Sequence, residues 1–177
     1  QLRLPQVGES GQAALADARV VILGAGGLGA PAALYLAGAG VGHITLIDDD
    51  RVDLSNLQRQ TLFATDDAGT RKCDAAVAAL RRLNPHIEVT PHPVRIDAAN
   101  AADLLAGHDA IRDGTDNFET RLLVADAALR HRVPLISAAV GEFEGQLAVF
   151  RGWEADKPCY RCFVGADPER PGINCAE

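Results

Sequence analysis

The 177-residue sequence contains no methionine, so its first residue, Gln1, is not an initiator; with an end at Asn174-Cys175-Ala176-Glu177 and no closing helix, further sequence is expected on both sides. Positive charge is in deficit. Seventeen Lys and Arg against 24 Asp and Glu give a formal net charge of −7, which argues against the clustered cationic surface that a grip on nucleic acid requires. No uncharged apolar run approaches the roughly 20 residues of a membrane-spanning helix, and QLRLPQVGES lacks the apolar centre of a signal peptide. A cytoplasmic protein that contacts neither membrane nor nucleic acid is expected. Only four cysteines occur, two of them in a CxxC, which fits metal ligands or reactive thiols better than a disulfide framework.

What is present is 47% hydrophobic, enough for one domain with a substantial core. Its 31 alanines and 17 glycines are not scattered, because the apolar positions alternate between strand and helix patterns. Arg19-Val20-Val21-Ile22-Leu23 is short, β-branched and almost wholly apolar, as for a strand covered on both faces. A helix over 27–39 and a strand over 43–47 complete a βαβ unit. Helices are predicted over 72–84 (Cys73, Val77 and Leu80 on one face, Pro85 as the stop), 98–107 and 118–132, the last with Phe118, Leu122, Ala125 and Leu129 as its buried stripe. Strands are predicted over 87–90, 109–111, 134–140 and 146–150, the final two joined through Gly141 and Gly145, in one arrangement as a hairpin. This alternation predicts an α/β fold: a Rossmann-like, doubly wound, mostly parallel sheet with helices on both faces and a loop-rich C-terminal tail after Phe150.

Gly24-Ala25-Gly26-Gly27-Leu28-Gly29 matches GxGxxG between a strand and a helix, where the glycines admit a phosphate and the helix N-terminus attracts it. A glycine turn without a ligand is the plainer alternative. Asp48 follows the second strand at the position where nucleotide-binding folds place a carboxylate for ribose hydroxyls. Both features also suit an NAD-dependent oxidoreductase. The polar segment Arg51-Val52-Asp53-Leu54-Ser55-Asn56-Leu57-Gln58-Arg59-Gln60 separates the two classes, because a nucleoside triphosphate carries charge that Arg59, and Lys72 from the next helix, can neutralise. Lys72 by itself would also serve as a solvated residue at a helix start. Asp113-Gly114-Thr115-Asp116-Asn117 lies after the fourth strand, at the carboxyl edge where open α/β sheets bind ligands. Asp116 there suits Mg²⁺, and Asp116 or Asn117 also suits the N-cap of the following helix.

GAGGLG, LIDDDRVDLSNLQRQ, Lys72, DGTDN and PCYRC together resemble the ThiF/MoeB/HesA adenylyltransferases, relatives of ubiquitin-activating enzymes, over nearly the whole chain. The resemblance implies that ATP activates the C-terminal glycine carboxylate of a small ubiquitin-like sulfur carrier ending in Gly-Gly, as an acyl adenylate with release of pyrophosphate, in sulfur transfer of the molybdopterin or thiamine type. It implies an ATP-binding adenylation domain over 1–151 and the start of a zinc-binding and crossover-loop region over 152–177. It places Gly24, Gly26, Gly27 and Gly29 at the nucleotide, Asp48 at the ribose, Asn56, Arg59 and Lys72 at the phosphates, and Asp116 with Asn117 at Mg²⁺ and nucleotide, with Arg59, Lys72 and Asp116 in the catalytic role.

The substrate carboxylate is itself the attacking group, so no protein nucleophile is required. A noncatalytic partner subunit of a related activating enzyme is a third reading. Cys159-Tyr160-Arg161-Cys162 has the spacing of half a structural zinc site, and the family pattern puts the other two ligands beyond residue 177. A redox CxxC is the rival. Cys175 resembles the thiol of a mobile loop that in some members bonds covalently to the carrier, with an inert loop thiol as its alternative. Cys73 is assigned to the core.

Two departures stand out. The family's RYxRQ-type segment, which reaches the neighbouring subunit's site in a homodimer, is represented here by what looks like its last glutamine. Arg112 occupies a strand position where the pattern wants an apolar residue, and the sequence supplies no reason for it.

Overall fold

The computed structural model describes residues 1–165. In chain order the elements are α1 (Gly8–Asp17), β1 (Arg19–Leu23), α2 (Gly29–Ala39), β2 (His43–Ile47), α3 (Lys72–Leu83), β3 (Glu88–His92), α4 (Ala101–Leu105), β4 (Ala110–Asp113), α5 (Phe118–His131), β5 (Leu135–Val140), β6 (Gly145–Phe150) and α6 (Tyr160–Val164). Short 3₁₀ turns at Leu54–Asn56 and Thr65–Asp67 shape the connection between β2 and α3.

The six strands are ordered β3-β2-β1-β4-β5-β6, with β1 to β5 parallel and β6 antiparallel to β5. Strand order reverses between β1 and β4, which opens a crevice at their carboxyl ends. Alternation along β1 sends its side chains to two separate cores. Val20 and Ile22 join Ala30, Ala33 and Ala37 of α2 and Cys73, Ala76 and Leu80 of α3. Val21 and Leu23 join Val124, Ala127 and Ala128 of α5 on the other face, with Ile111 and Leu135. The alanines therefore have a structural use, because small residues on α2 and α5 let both helices pack close to the sheet.

Most predicted elements are present, with four corrections. First, α1 was not foreseen; it buries no residue completely, and so leaves only a weak apolar pattern. Second, α2 begins at Gly29 and not at residue 27, because Gly24 takes φ +80° and the chain up to Leu28 turns over the end of β1. Third, the helix expected over 98–107 shortens to α4, since Asp97 accepts bonds from the amides of Ala99 and Asn100 and holds those residues in a turn. Fourth, the stripe on α5 is rotated: Val124, Ala125, Ala127 and Ala128 are buried, Phe118 and Leu122 are half-buried, and Leu129 is exposed. The predicted tail also contains α6, fastened by the ring of Tyr160 standing edge-on to Phe150 at 5.4 Å and by Arg161 paired with Asp126 of α5.

Candidate functional site

The loop after β1 and the loop after β4 meet at the crevice. Gly24 sits so close to the carbonyl of Gly114 that an added Cβ would lie 3.2 Å from its oxygen. Gly29, which opens α2, has less room still: a Cβ there would stand 1.7 Å from the carbonyl oxygen of Gly24. These contacts explain two of the motif's glycines by close approach of backbone to backbone.

Asp48, at the end of β2, holds this loop in place. Its carboxylate accepts hydrogen bonds from the amides of Ala25 at 2.7 Å and Asp50 at 2.9 Å. Burial pushes the acid up from its ordinary value, opposed by Lys72 and the two amides. Asp49 and Asp50 lie beside it, but Asp48 is committed to backbone amides and Asp50 to Lys72, so the trio is not a free metal cage.

The segment between β2 and α3 delivers two cations. Arg59 lies over the glycine loop, with its Cγ and Cδ 3.3 Å from where a Cβ of Gly27 would stand. Lys72 is buried at the start of α3, and its Nζ donates to Asp50 Oδ2 at 2.7 Å. Backbone bonds from Lys72 to Asp50 and from Val52 to Thr70 fasten the two ends of this excursion together. Asn56 lies half-buried in the 3₁₀ turn, and its carbonyl accepts from the amides of Arg59 and Gln60. The excursion thus folds back on the glycine loop.

On the other side of the crevice, Asp113 is buried and accepts bonds from the amide and hydroxyl of Thr115 at 2.9 and 2.8 Å. Burial raises its pKa against the pull of Thr115, Arg121 and Arg112. Asn117 takes the N-cap position of α5, accepting from Thr120 N at 3.0 Å. Asp116 is exposed, and its carboxylate holds no partner among the described residues, so it suits an Mg²⁺ ion.

The sequence reading missed two polar residues beside these loops. Arg121 donates to the carbonyl of Thr115 through Nε at 2.7 Å and also through Nη2. Its place one turn beyond Asn117 was the available signal. Gln60 is buried with its Nε2 3.8 Å from the Cβ position of Gly26 and its Oε1 unpaired among the described residues. An orphaned acceptor beside a glycine loop fits a polar ligand.

The sequence model of the ThiF family matches residues 1–177. The chain belongs to the ThiF family. This ThiF-family chain is 46% identical over 175 residues to the SAMP-activating enzyme E1 of Haloferax volcanii, covering 98% of the chain and 63% of the relative. It is 44% identical over 181 residues to the sulfur carrier protein adenylyltransferase of Thermus thermophilus, covering 100% of the chain and 67% of the relative. The chain thus spans about two thirds of the length of these curated relatives. Among solved structures, E. coli MccB with MccA-N7isoASN matches with a TM-score of 0.81 and 30% identity, over 92% of this chain and 48% of that one. E. coli MccB with ATP matches at 0.75 and 31%, over 89% and 47%.

Cys159 and Cys162 of the ThiF-family chain lie at the N-cap and in the first turn of α6, which packs beside α5. Their sulfurs are 3.2 Å apart, and the Cys162 contact holds the Cys159 thiol below its usual range. Two thiols converging in this way fit half of a tetrahedral zinc site, which takes four ligands. Cys73 is buried against the carbonyls of Leu46, Asp48 and His92, and burial pushes its thiol up to about 12, which agrees with a core role. Cys175 lies outside the described residues.

Proposed function

We propose that the chain is the adenylation domain, over 1–151, of an enzyme that uses ATP to activate the C-terminal glycine carboxylate of a ubiquitin-like sulfur carrier ending in Gly-Gly, releasing pyrophosphate. One observation carries the reading: at the sheet's switch point, where the glycine loop meets the 113–117 loop at Gly114, Arg59 lies over Gly27 and Lys72 is held by Asp50 beside Asp48, the acid that anchors the glycine loop. The ATP in the matching MccB structure and the carrier named in the Thermus relative support it.

In this reading the amides of the Gly24, Gly26, Gly27 and Gly29 loop and the N-terminus of α2 receive the phosphates. Asp48 holds the loop and meets the ribose. Asn56, Arg59 and Lys72 stabilise charge on the phosphates as the carboxylate attacks the α-phosphorus and pyrophosphate leaves. Asn117 orders the far loop beside the nucleotide. Asp116 holds Mg²⁺, which supplies charge neutralisation.

Cys159 and Cys162 provide half of a structural zinc site in the region over 152–177, with the other half beyond residue 177. Cys175 is a thiol available for carrier transfer. The protein works as a cytoplasmic homodimer in sulfur transfer of the molybdopterin or thiamine type, without membrane or nucleic-acid contact. No helix among the described residues is long and apolar enough to cross a membrane.

ATP–pyrophosphate exchange by the full-length protein, with and without candidate Gly-Gly carriers, tests the reading. Carrier-dependent exchange is the expected result. ATP binding without exchange for any carrier favours a noncatalytic partner, and stabilisation by NAD but not by ATP favours an oxidoreductase.

A further inference from the structure

Arg112, which the sequence left without a role, pairs in register with Ile22 of β1 and Ile136 of β5, and points to the side of the sheet covered by α2. It is buried, with 8% of its surface exposed, and its Nη1 has no hydrogen-bond partner among the described residues. The guanidinium fills the space that a side chain at 114 would take: a Cβ on Gly114 would lie 1.7 Å from Nη1 and 2.6 Å from Cζ. Gly114 is therefore the residue that makes room for Arg112. Nη1 also comes within 3.6 Å of the Cβ position of Gly29, the first residue of α2.

A guanidinium stays charged even when burial lowers its pKa, as it does here. The neighbouring Asp113 offsets part of that cost, but its Oδ1 is already bonded to Thr115. Arg112 also faces the positive end of the α2 dipole. A buried cation and a helix N-terminus thus converge on one end of the glycine loop, an arrangement that an anion in the crevice would relieve.

We propose that Arg112 is a phosphate-binding residue of this site, reaching the negative charge of the nucleotide from β4 while Arg59 and Lys72 reach it from the segment between β2 and α3. The inference rests on the nucleotide reading above and adds a cation to it. Arg112 and Gly114 act as a pair, since the arginine excludes any side chain at 114.

The test is titration of the full-length protein and its R112L variant with Mg²⁺ and ATP, AMP or adenosine in a calorimeter, with melting of the ligand-free proteins alongside. R112L is expected to weaken ATP binding by about tenfold or more, the effect of losing a charged hydrogen bond. Adenosine binding stays within about twofold of wild type. The ligand-free variant melts no lower than wild type, because leucine replaces a buried unpaired charge. R112K, which keeps the charge, retains more ATP affinity than R112L, and R112Q replaces R112L in the comparison if the leucine variant does not fold. Unchanged ATP affinity overturns the proposal, as does an equal loss for ATP and adenosine, which marks a structural role. A wild-type protein that binds adenosine and ATP equally overturns it as well. If the wild type binds no nucleotide, the nucleotide reading falls and this proposal falls with it.

Discussion

The side chain of Lys72 is 5% exposed, whereas that of Asp50, whose carboxylate receives its hydrogen bond at 2.7 Å, is 67% exposed. The lysine is thus fixed by its helix and its partner is wet, so an incoming phosphate can take the carboxylate's place at little cost. K72A is expected to lower carrier-dependent pyrophosphate exchange about 100-fold or more, as for the loss of a positioned charge in a transition state. Exchange within a few-fold of wild type would remove Lys72 from the chemistry.

Asp116 has no structural partner to lose among the described residues. D116A should therefore melt within about 0.5 kcal/mol of wild type, as surface substitutions do, and abolish adenylate formation. Near-normal pyrophosphate release by this variant would sink the metal assignment.

The cysteines should separate in alkylation of the native protein. The lowered pKa of Cys159 raises its thiolate fraction at pH 7.5, whereas a thiol pushed up to about 12 leaves Cys73 protonated as well as buried. Mass spectrometry after brief iodoacetamide treatment should find Cys159 labelled well before Cys73, and zinc should slow that labelling. Labelling of Cys73 at a comparable rate would contradict the packing described here.

Asp126 receives two bonds from Arg161, at 2.7 and 2.6 Å, which hold its carboxyl below the ordinary 3.8. An acid with a lowered native pKa stabilises the fold above its unfolded value and loses that contribution as pH falls through the native one. D126N should cost no more than about 1 kcal/mol at pH 7, because the pair is partly solvated. The difference from wild type should shrink as pH falls below 3.8. A difference independent of pH in denaturant melts would show that the ion pair is not its source.

Two glycines of α2 should respond in opposite directions to alanine. At Gly29 the new methyl would meet the Gly24 carbonyl at 1.7 Å, so G29A should displace the loop and lower both stability and ATP affinity. Gly38 has open space around its Cβ position, so G38A should stabilise the protein by about 0.5–1 kcal/mol through helix propensity. Equal melting temperatures for the two variants would refute the close approach at Gly29.

The sequence by itself determined the order of strands and helices from β1 to β6, because an apolar run of five residues and a stripe at helical spacing each have one economical way to be buried. It also determined the glycine loop, the carboxyl-edge position of 113–117 and the chemical types of Arg59, Lys72 and Asp116, since these follow from local spacing and charge. What it did not contain was distance. Only the tertiary structure decided that α1 lies against the domain with no fully buried residue, and that α5 turns Leu129 outward, because both depend on the angle at which a helix meets its neighbours. Only the folded chain paired Lys72 with Asp50 across 22 residues, and Asp48 with the Ala25 amide across 23. Arg112 gives the clearest case. Along the strand it is a charge in an apolar position, and it acquires a reason only when parallel pairing of β1 with β4 sets it beside Gly29, with Gly114 leaving the space that its guanidinium fills.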